Sequence, residues 1–296
     1  MDKADIFRPP EIEAWSNRII IHPLSFLLAK ALAKTRMTPN MVSLLGIPLG
    51  IVAAICFALY SAGWWWGLIG GFAALIRLIA DGADGQLARI KNLSSPFGRV
   101  LDGICDYIAI GAIYLSFLVA FHGWQNSLIF LLLLFSYFSR IIQANVYELQ
   151  RSLYRFWTAG KTDGLPASLL NQAPKHYARN RFLNSLISVL DHQYGQSQLL
   201  FSGLSKDKLK PKLCTYLNSS TKQQAELAKQ YDQRYRKLVK FWGILNDNCH
   251  YLLLTIFCVI QQPIWYFLAE LTVLNILQIS FLCIYRRKIN NIKTTQ

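Results

Sequence analysis

The chain has 296 residues, 53% of them hydrophobic, and a mean hydropathy of +0.26. That is too apolar for an ordinary soluble domain and points to a membrane protein. The formal charge of +15 does not point to nucleic acid, because the cations gather at the edges of apolar runs, where they fit anionic lipid head groups instead.

Six apolar runs lie near 41–61, 66–88, 99–121, 125–146, 241–262 and 264–285, each about the length of a helical crossing of a bilayer. Lys30, Lys34 and Arg36 precede the first run. Arg89, Lys91 and Arg99 lie between the second and third. Residues after the fourth are rich in Lys and Arg, and Arg286, Arg287 and Lys288 follow the sixth. The other connections carry no Lys or Arg. This alternation predicts that both termini are cytoplasmic. Trp64, Trp65, Trp66, Trp124, Trp265 and Tyr266 fall on the opposite side, as an aromatic belt. The expected fold is an all-α integral membrane protein. It has six transmembrane helices, an N-terminal interfacial amphipathic helix and a helical cytoplasmic insertion. The segments are 1–36 (interfacial), 37–146 (the first four crossings), 147–240 (insertion) and 241–296 (two crossings and a tail). The bacterial inner membrane is the expected location. The cysteines show no paired spacing, so neither a disulfide framework nor a zinc site is expected. No secretory leader pattern is evident at the start.

In chain order, residues 1–10 read as extended. Trp15, Ile19, Leu24, Leu27, Leu28 and Leu32 then recur with Arg18, Lys30 and Lys34 among them. Two short helices, broken near Pro23, are expected in the cytoplasmic interface. Thr38 caps the first crossing, with Pro39 at its first position. Arg77 lies four residues before Asp81, where it pairs with Asp81, snorkels or meets phosphate.

The stretch from Asp81 to Asp106 carries the chemistry. Asp81 and Asp84 are three apart, and Asp102 and Asp106 are four apart. On helices each pair shares a face. Two helix ends that each present two carboxylates can close a cage of hard oxygen ligands, suited to one or two divalent cations such as Mg2+ or Mn2+. Gly82, Ala83, Gly85, Ala88 and Gly98 interleave with the acids. Small residues there leave room for close helix packing and for a ligand. Arg89 offers a planar fork to phosphate oxygens. Ser94-Ser95-Pro96 supplies a turn between the two acidic helices.

The fourth run carries Arg140 near its cytoplasmic end, and an intramembrane Arg is a site candidate. In the segment 147–240, Leu183, Leu186, Val189 and Leu190 recur at helical spacing, which predicts packed helices. The fifth run begins with Asn246-Asp247-Asn248, where Asp247 either caps the helix or lines an acceptor pocket. Glu270 is expected at the outer interface.

The acidic stretch resembles the signature of the CDP-alcohol phosphotransferases, D-x-x-D-G-x-x-A-R, eight residues, then G-x-x-x-D-x-x-x-D, with every fixed position matched. The resemblance covers residues 37–145 well and the last two apolar runs loosely. It implies metal-dependent transfer of a phosphatidyl group from CDP-diacylglycerol to an alcohol, with release of CMP. Asp81, Asp84, Asp102 and Asp106 would be the metal ligands, and Asp106 would also accept the proton of the attacking hydroxyl. Gly85, Ala88, Arg89, Ser95 and Gly98 would hold the CDP donor. In relatives with a phosphorylated acceptor, a basic residue near Arg140 holds its phosphate. The family usually has a short connection where this chain carries 147–240. The expected partners are the CDP-linked lipid, the alcohol, membrane lipids and a second copy of the chain. Two alternatives stand. One is transfer of a phospho-head group from CDP-choline or CDP-ethanolamine to a lipid alcohol. The other is a non-enzymatic transporter with intramembrane acids.

Overall fold

The computed structural model describes residues 16–162, 164–170 and 180–289. The extended start, Ile12, Trp15 and the end of the tail lie outside them. The described residues are helical, with no strand among them. Two compact units divide the chain: Met1–Ile141 with Asp247–Leu274, and Ile142–Asn246 with Asn275–Gln296.

In the described part of the first unit, a π-helical turn, Asn17–Ile21, runs into α1 (His22–Ala33). The helix is continuous where a break at Pro23 was expected. His22 donates its N–H to Asn17 O, five residues back. That wider turn makes room for the ring of Pro23, which has no N–H to give and would crowd an ordinary turn. The turn and α1 together bury Ile21, Ser25 and Ala29 and expose Ile19, Leu24 and Leu27. Then come α2 (Pro39–Ala58), α3 (Trp64–Ile90), α4 (Pro96–Ala120) and α5 (Ser127–Ala159). Thr38 caps α2, accepting from Met41 N at 3.3 Å.

Small residues set the helix spacing. A Cβ on Gly50 of α2 would stand 2.5 Å from Ala109 Cβ of α4, and one on Gly82 of α3 would stand 2.5 Å from Ser25 Oγ of α1. Such contacts bring backbones together where lipid supplies no hydrophobic drive between helices. The core joins Ala54, Phe57, Ala74, Ile113, Phe117 and Phe267. Large apolar side chains such as Leu44, Ile55, Phe72, Leu115 and Phe135 face outward, while Arg77, Arg140 and Glu270 are buried. A protein turned apolar side out is suited to lipid.

Among the described residues, five helices are long and apolar enough to cross a membrane: Pro39–Ala62, Trp64–Ile90, Phe97–Ala120, Ser127–Ala159 and Ile264–Lys288. The expected fifth run is divided. Its first residues end α8 (Thr221–Trp242), a 3-10 turn follows at Gly243–Leu245, and a shorter apolar helix, α9 (Asp247–Val259), takes up most of the remainder. At 13 residues α9 is about 20 Å long, against a hydrocarbon core of about 30 Å. The last long helix consists of α10 (Ile264–Ala269), a π-helical turn Glu270–Leu274 and α11 (Asn275–Ile289).

In the second unit, α6 (Arg181–Ser202), α7 (Lys206–Asn218) and α8 join the end of α5 and α11. An aromatic stack supports it. Trp157 stacks on Tyr231 at 5.6 Å, Tyr231 stacks on Tyr235 at 4.2 Å, and Tyr235 meets Tyr285 at 5.2 Å. Ser220 and Gln223 form a capping box at the start of α8. Arg286 of α11 donates to Ser202 O at the end of α6. α6 is a helix, as the spacing predicts, but Leu186, Val189 and Leu190 point outward. Its inward face carries Ile187, Gln198, Leu199 and Ser202 instead.

Candidate active site

The site is built from the last turns of α3 and the first turns of α4. α3 ends with Asn92 in the left-handed region (φ 54), with Leu93 N donating to Ala88 O at 2.8 Å and Asn92 N to Arg89 O at 3.3 Å. This is a Schellman closure with Asn in the usual Gly position. Lys91 Nζ donates to Thr35 O and Met37 O, both at 2.8 Å, and so ties this end to the connection between α1 and α2. Ser95 starts α4 as its cap, its Oγ accepting from Gly98 N at 3.0 Å.

The chain thereby folds back, and Asp81, Asp102 and Asp106 converge. One ligand oxygen from each lies within 4.8 Å of the others, and all three residues are half-buried. The group holds carboxylates only, which is the donor set a hard divalent cation takes. The fourth acid, Asp84, is buried beside Asp102 and accepts from Ser43 Oγ of α2 at 2.5 Å. Ser43 was not singled out from the sequence, because a lone Ser in an apolar run carries no signal of its own.

Asp81, Gly85, Ala88 and Arg89 lie on one half-buried face of α3. A Cβ on Gly85 would stand 3.8 Å from Arg89 Nη2, so the guanidinium lies over the glycine. Gly98 sits one turn before Asp102 on α4, and Asn40 Oδ1 is 3.0 Å from where its Cβ would be. Gly85 and Gly98 each stand one helical turn from a carboxylate, Asp81 and Asp102 respectively.

Arg77 does not pair with Asp81. Its Nη2 donates to Asp106 Oδ1, and its Nη1 donates to Tyr251 Oη of α9 at 3.1 Å. Arg140 forms an ion pair with Asp247, which brings the two expected acceptor residues together at the start of α9. Arg140 is 3% exposed, and its Nη1 has no partner. Nearby, Tyr114 Oη donates to Glu270 Oε2 at 2.5 Å, Tyr266 Oη donates to Glu270 Oε1 at 3.4 Å, and His250 Nδ1 lies 3.0 Å from Tyr266 Oη. Glu270 is fully buried rather than at the outer interface, and Tyr266 is buried rather than in an aromatic belt. The π-helical turn that begins at Glu270 shifts the face of the helix, and two tyrosines satisfy the carboxyl inside. Trp64, Trp65, Trp124 and Trp265 are exposed, as a belt requires.

A family model for CDP-alcohol phosphatidyltransferase matches residues 36–183, half of the chain, and contains all four acids. The chain belongs to the CDP-alcohol phosphatidyltransferase family. Among curated relatives, it is 36% identical to a phosphatidylinositol phosphate synthase of Mycobacteroides abscessus over 104 residues, 34% of this chain and 44% of that protein. It is 33% identical to one of Mycolicibacterium smegmatis over 91 residues, 31% and 39% of the two chains. It is 27% identical to cholinephosphotransferase 1 of Xenopus laevis over 100 residues, 30% and 25% of the two. The matches to the synthases span about half the length of those relatives or less. The bounds of the family match place the converging carboxylates inside the CDP-alcohol phosphatidyltransferase region.

Proposed function

We propose that the protein transfers a phosphatidyl group from CDP-diacylglycerol to a polar alcohol and releases CMP. The observation that carries this reading is the convergence of Asp81, Asp102 and Asp106 within the family-matched region. Asp81, Asp84, Asp102 and Asp106 are the residues that would hold two divalent cations, Mg2+ or Mn2+. Such cations would neutralise the diphosphate and make CMP a better leaving group. Arg89 and the face of Gly85 and Ala88 hold the CDP part, with Gly98 and Ser95 at its edge. The acceptor oxygen attacks the phosphorus that bears the lipid. The bond from that phosphorus to the CMP oxygen breaks, and the hydroxyl proton passes to Asp106.

Arg140 and Asp247 line the acceptor pocket. A buried guanidinium with an uncommitted Nη1 favours an anionic acceptor, a phosphorylated alcohol, and several relatives are named for phosphatidylinositol phosphate synthesis. The reverse donor arrangement, CDP-choline or CDP-ethanolamine with a lipid alcohol, has the cholinephosphotransferase relative in its favour. An acceptor screen on purified protein decides between them. CDP-diacylglycerol with inositol phosphate, glycerol phosphate, inositol or serine should give CMP and one lipid product of matching mass. CMP from CDP-choline with diacylglycerol alone would reverse the assignment.

Six crossings with both termini cytoplasmic, in a bacterial inner membrane, complete the reading. α9 makes the shorter crossing, and α1 with the π-helical turn before it lies in the interface with Ile19, Leu24 and Leu27 toward lipid. The alternation of Lys and Arg and the exposed tryptophans support that topology. A homodimer is the proposed assembly, and the mass of the detergent-solubilised protein tests it.

A further inference from the structure

We propose that Arg77 and Tyr251, neither of them in the acidic signature, form a bridge that positions Asp106 and ties it to the helix bearing the acceptor pocket. This inference rests on the transfer reading above. Arg77 sits on α3 one turn before Asp81, and it is 2% exposed. A cation in an apolar interior needs anchors. Here it has two. Nη2 donates to Asp106 Oδ1 on α4, and Nη1 donates to Tyr251 Oη on α9 at 3.1 Å. Its stem passes a third helix, α2, where Cδ lies 3.5 Å from the place of a Cβ on Gly50.

A guanidinium is planar, so fixing one nitrogen on Tyr251 sets the direction of the other. The bond to Oδ1 therefore fixes the Asp106 carboxylate and leaves Oδ2 for the space shared with Asp81 and Asp102. Charge neutralisation alone would need neither Tyr251 nor a fork; an ammonium would serve. The second anchor is what distinguishes a positioning device from a counter-ion. Tyr251 also follows Asp247 by four residues, one turn along α9, and Asp247 pairs with Arg140. The orientation of Asp106 is thus set from the same helix that presents the acceptor. Arg77 and Tyr251 act through Asp106 and are positioning residues.

Tyr251→Phe is the decisive variant. It removes one oxygen and keeps the ring, whose centroid lies 5.9 Å from the guanidinium carbon. Arg77→Lys keeps the charge and loses the fork. The full-length protein is assayed for CMP release, for CDP-diacylglycerol affinity and for Mn2+ affinity by electron paramagnetic resonance. Tyr251→Phe should lower kcat about tenfold to a hundredfold, the scale of a small misplacement of a reacting group. Its donor KM should stay near the parent's, and its Mn2+ affinity should fall by less than its kcat, because Asp106 keeps its charge and Asp81, Asp84 and Asp102 are untouched. Arg77→Lys should show the same split, and adding Tyr251→Phe to it should cost little more, since the two act as one unit. A Tyr251→Phe enzyme with parental kcat, or losses that multiply in the double variant, overturns the bridge alone. A parent protein that releases no CMP from any CDP-linked donor overturns the transfer reading, and the bridge falls with it.

Discussion

Asp106→Asn separates the two duties assigned to this residue. The amide keeps the shape but has one carbonyl oxygen, which can accept from Arg77 or face a cation but not both, so the assay is run at saturating metal. It cannot take the proton of an attacking hydroxyl. General-base assistance is worth about a hundred- to ten-thousand-fold in rate, or ~3–5 kcal/mol of barrier. A stability cost accompanies it, because Arg77 loses its anionic partner. Breaking a fully buried pair costs about 3–5 kcal/mol. The cost here should be at the low end or below, since the Asp106 side chain is 30% exposed and the amide retains an acceptor. The assay is single-turnover CMP release at saturating metal and both substrates, with thermal unfolding in detergent run alongside. The expected result is a loss of at least about a hundredfold in rate with donor affinity near the parent's. Asp81→Asn should instead weaken metal and donor binding and recover in part as metal is raised. Parental CMP release by Asp106→Asn would refute the base assignment and leave Asp102 as the next candidate.

Gly50→Val should destabilise the protein by about 1–3 kcal/mol, because its Cβ would stand 2.5 Å from Ala109 Cβ; detergent unfolding midpoints check this, and an unchanged midpoint would mean α2 and α4 are not pressed together there. Ser220→Ala should cost about 1 kcal/mol through loss of the capping box at α8, read in the same way, with no change in metal affinity. Ser61→Cys and Gln125→Cys, both exposed at helix connections, should react with an impermeant thiol reagent from outside the cell only, and labelling from the cytoplasmic face would overturn the topology.

The convergence of Asp81, Asp102 and Asp106 was legible because spacing on a helix is geometry. Residues three or four apart share a face whatever surrounds them, and the turn between Lys91 and Pro96 had only to fold back. The small residues were legible for the same reason: Gly82 marks a close crossing, and a Cβ there would meet Ser25. Partners across helices were not legible. Nothing in the order of residues says that Arg77 reaches Asp106 rather than Asp81, or that its other arm reaches Tyr251, 174 residues away. Hydropathy places a residue along a span but not around it, which is why Glu270 and Tyr266 were expected outside and are buried. The π-helical turn at Glu270–Leu274 changes the helical phase, so a regular 3.6-residue count misassigns the face. α6 illustrates the opposite case. Its period was read correctly, yet Leu186, Val189 and Leu190 face outward, because an apolar stripe does not say whether protein or another medium covers it.

The central claim is metal-dependent transfer at the carboxylate cage, and CMP release from CDP-diacylglycerol tests it most directly. Purified protein is stripped with a chelator and given the donor and a phosphorylated alcohol, and CMP is followed as Mg2+ or Mn2+ is added back. The account predicts no release without metal, recovery on addition of either ion, and a right-shifted metal dependence for Asp81→Asn. Full CMP release after thorough chelation would contradict it.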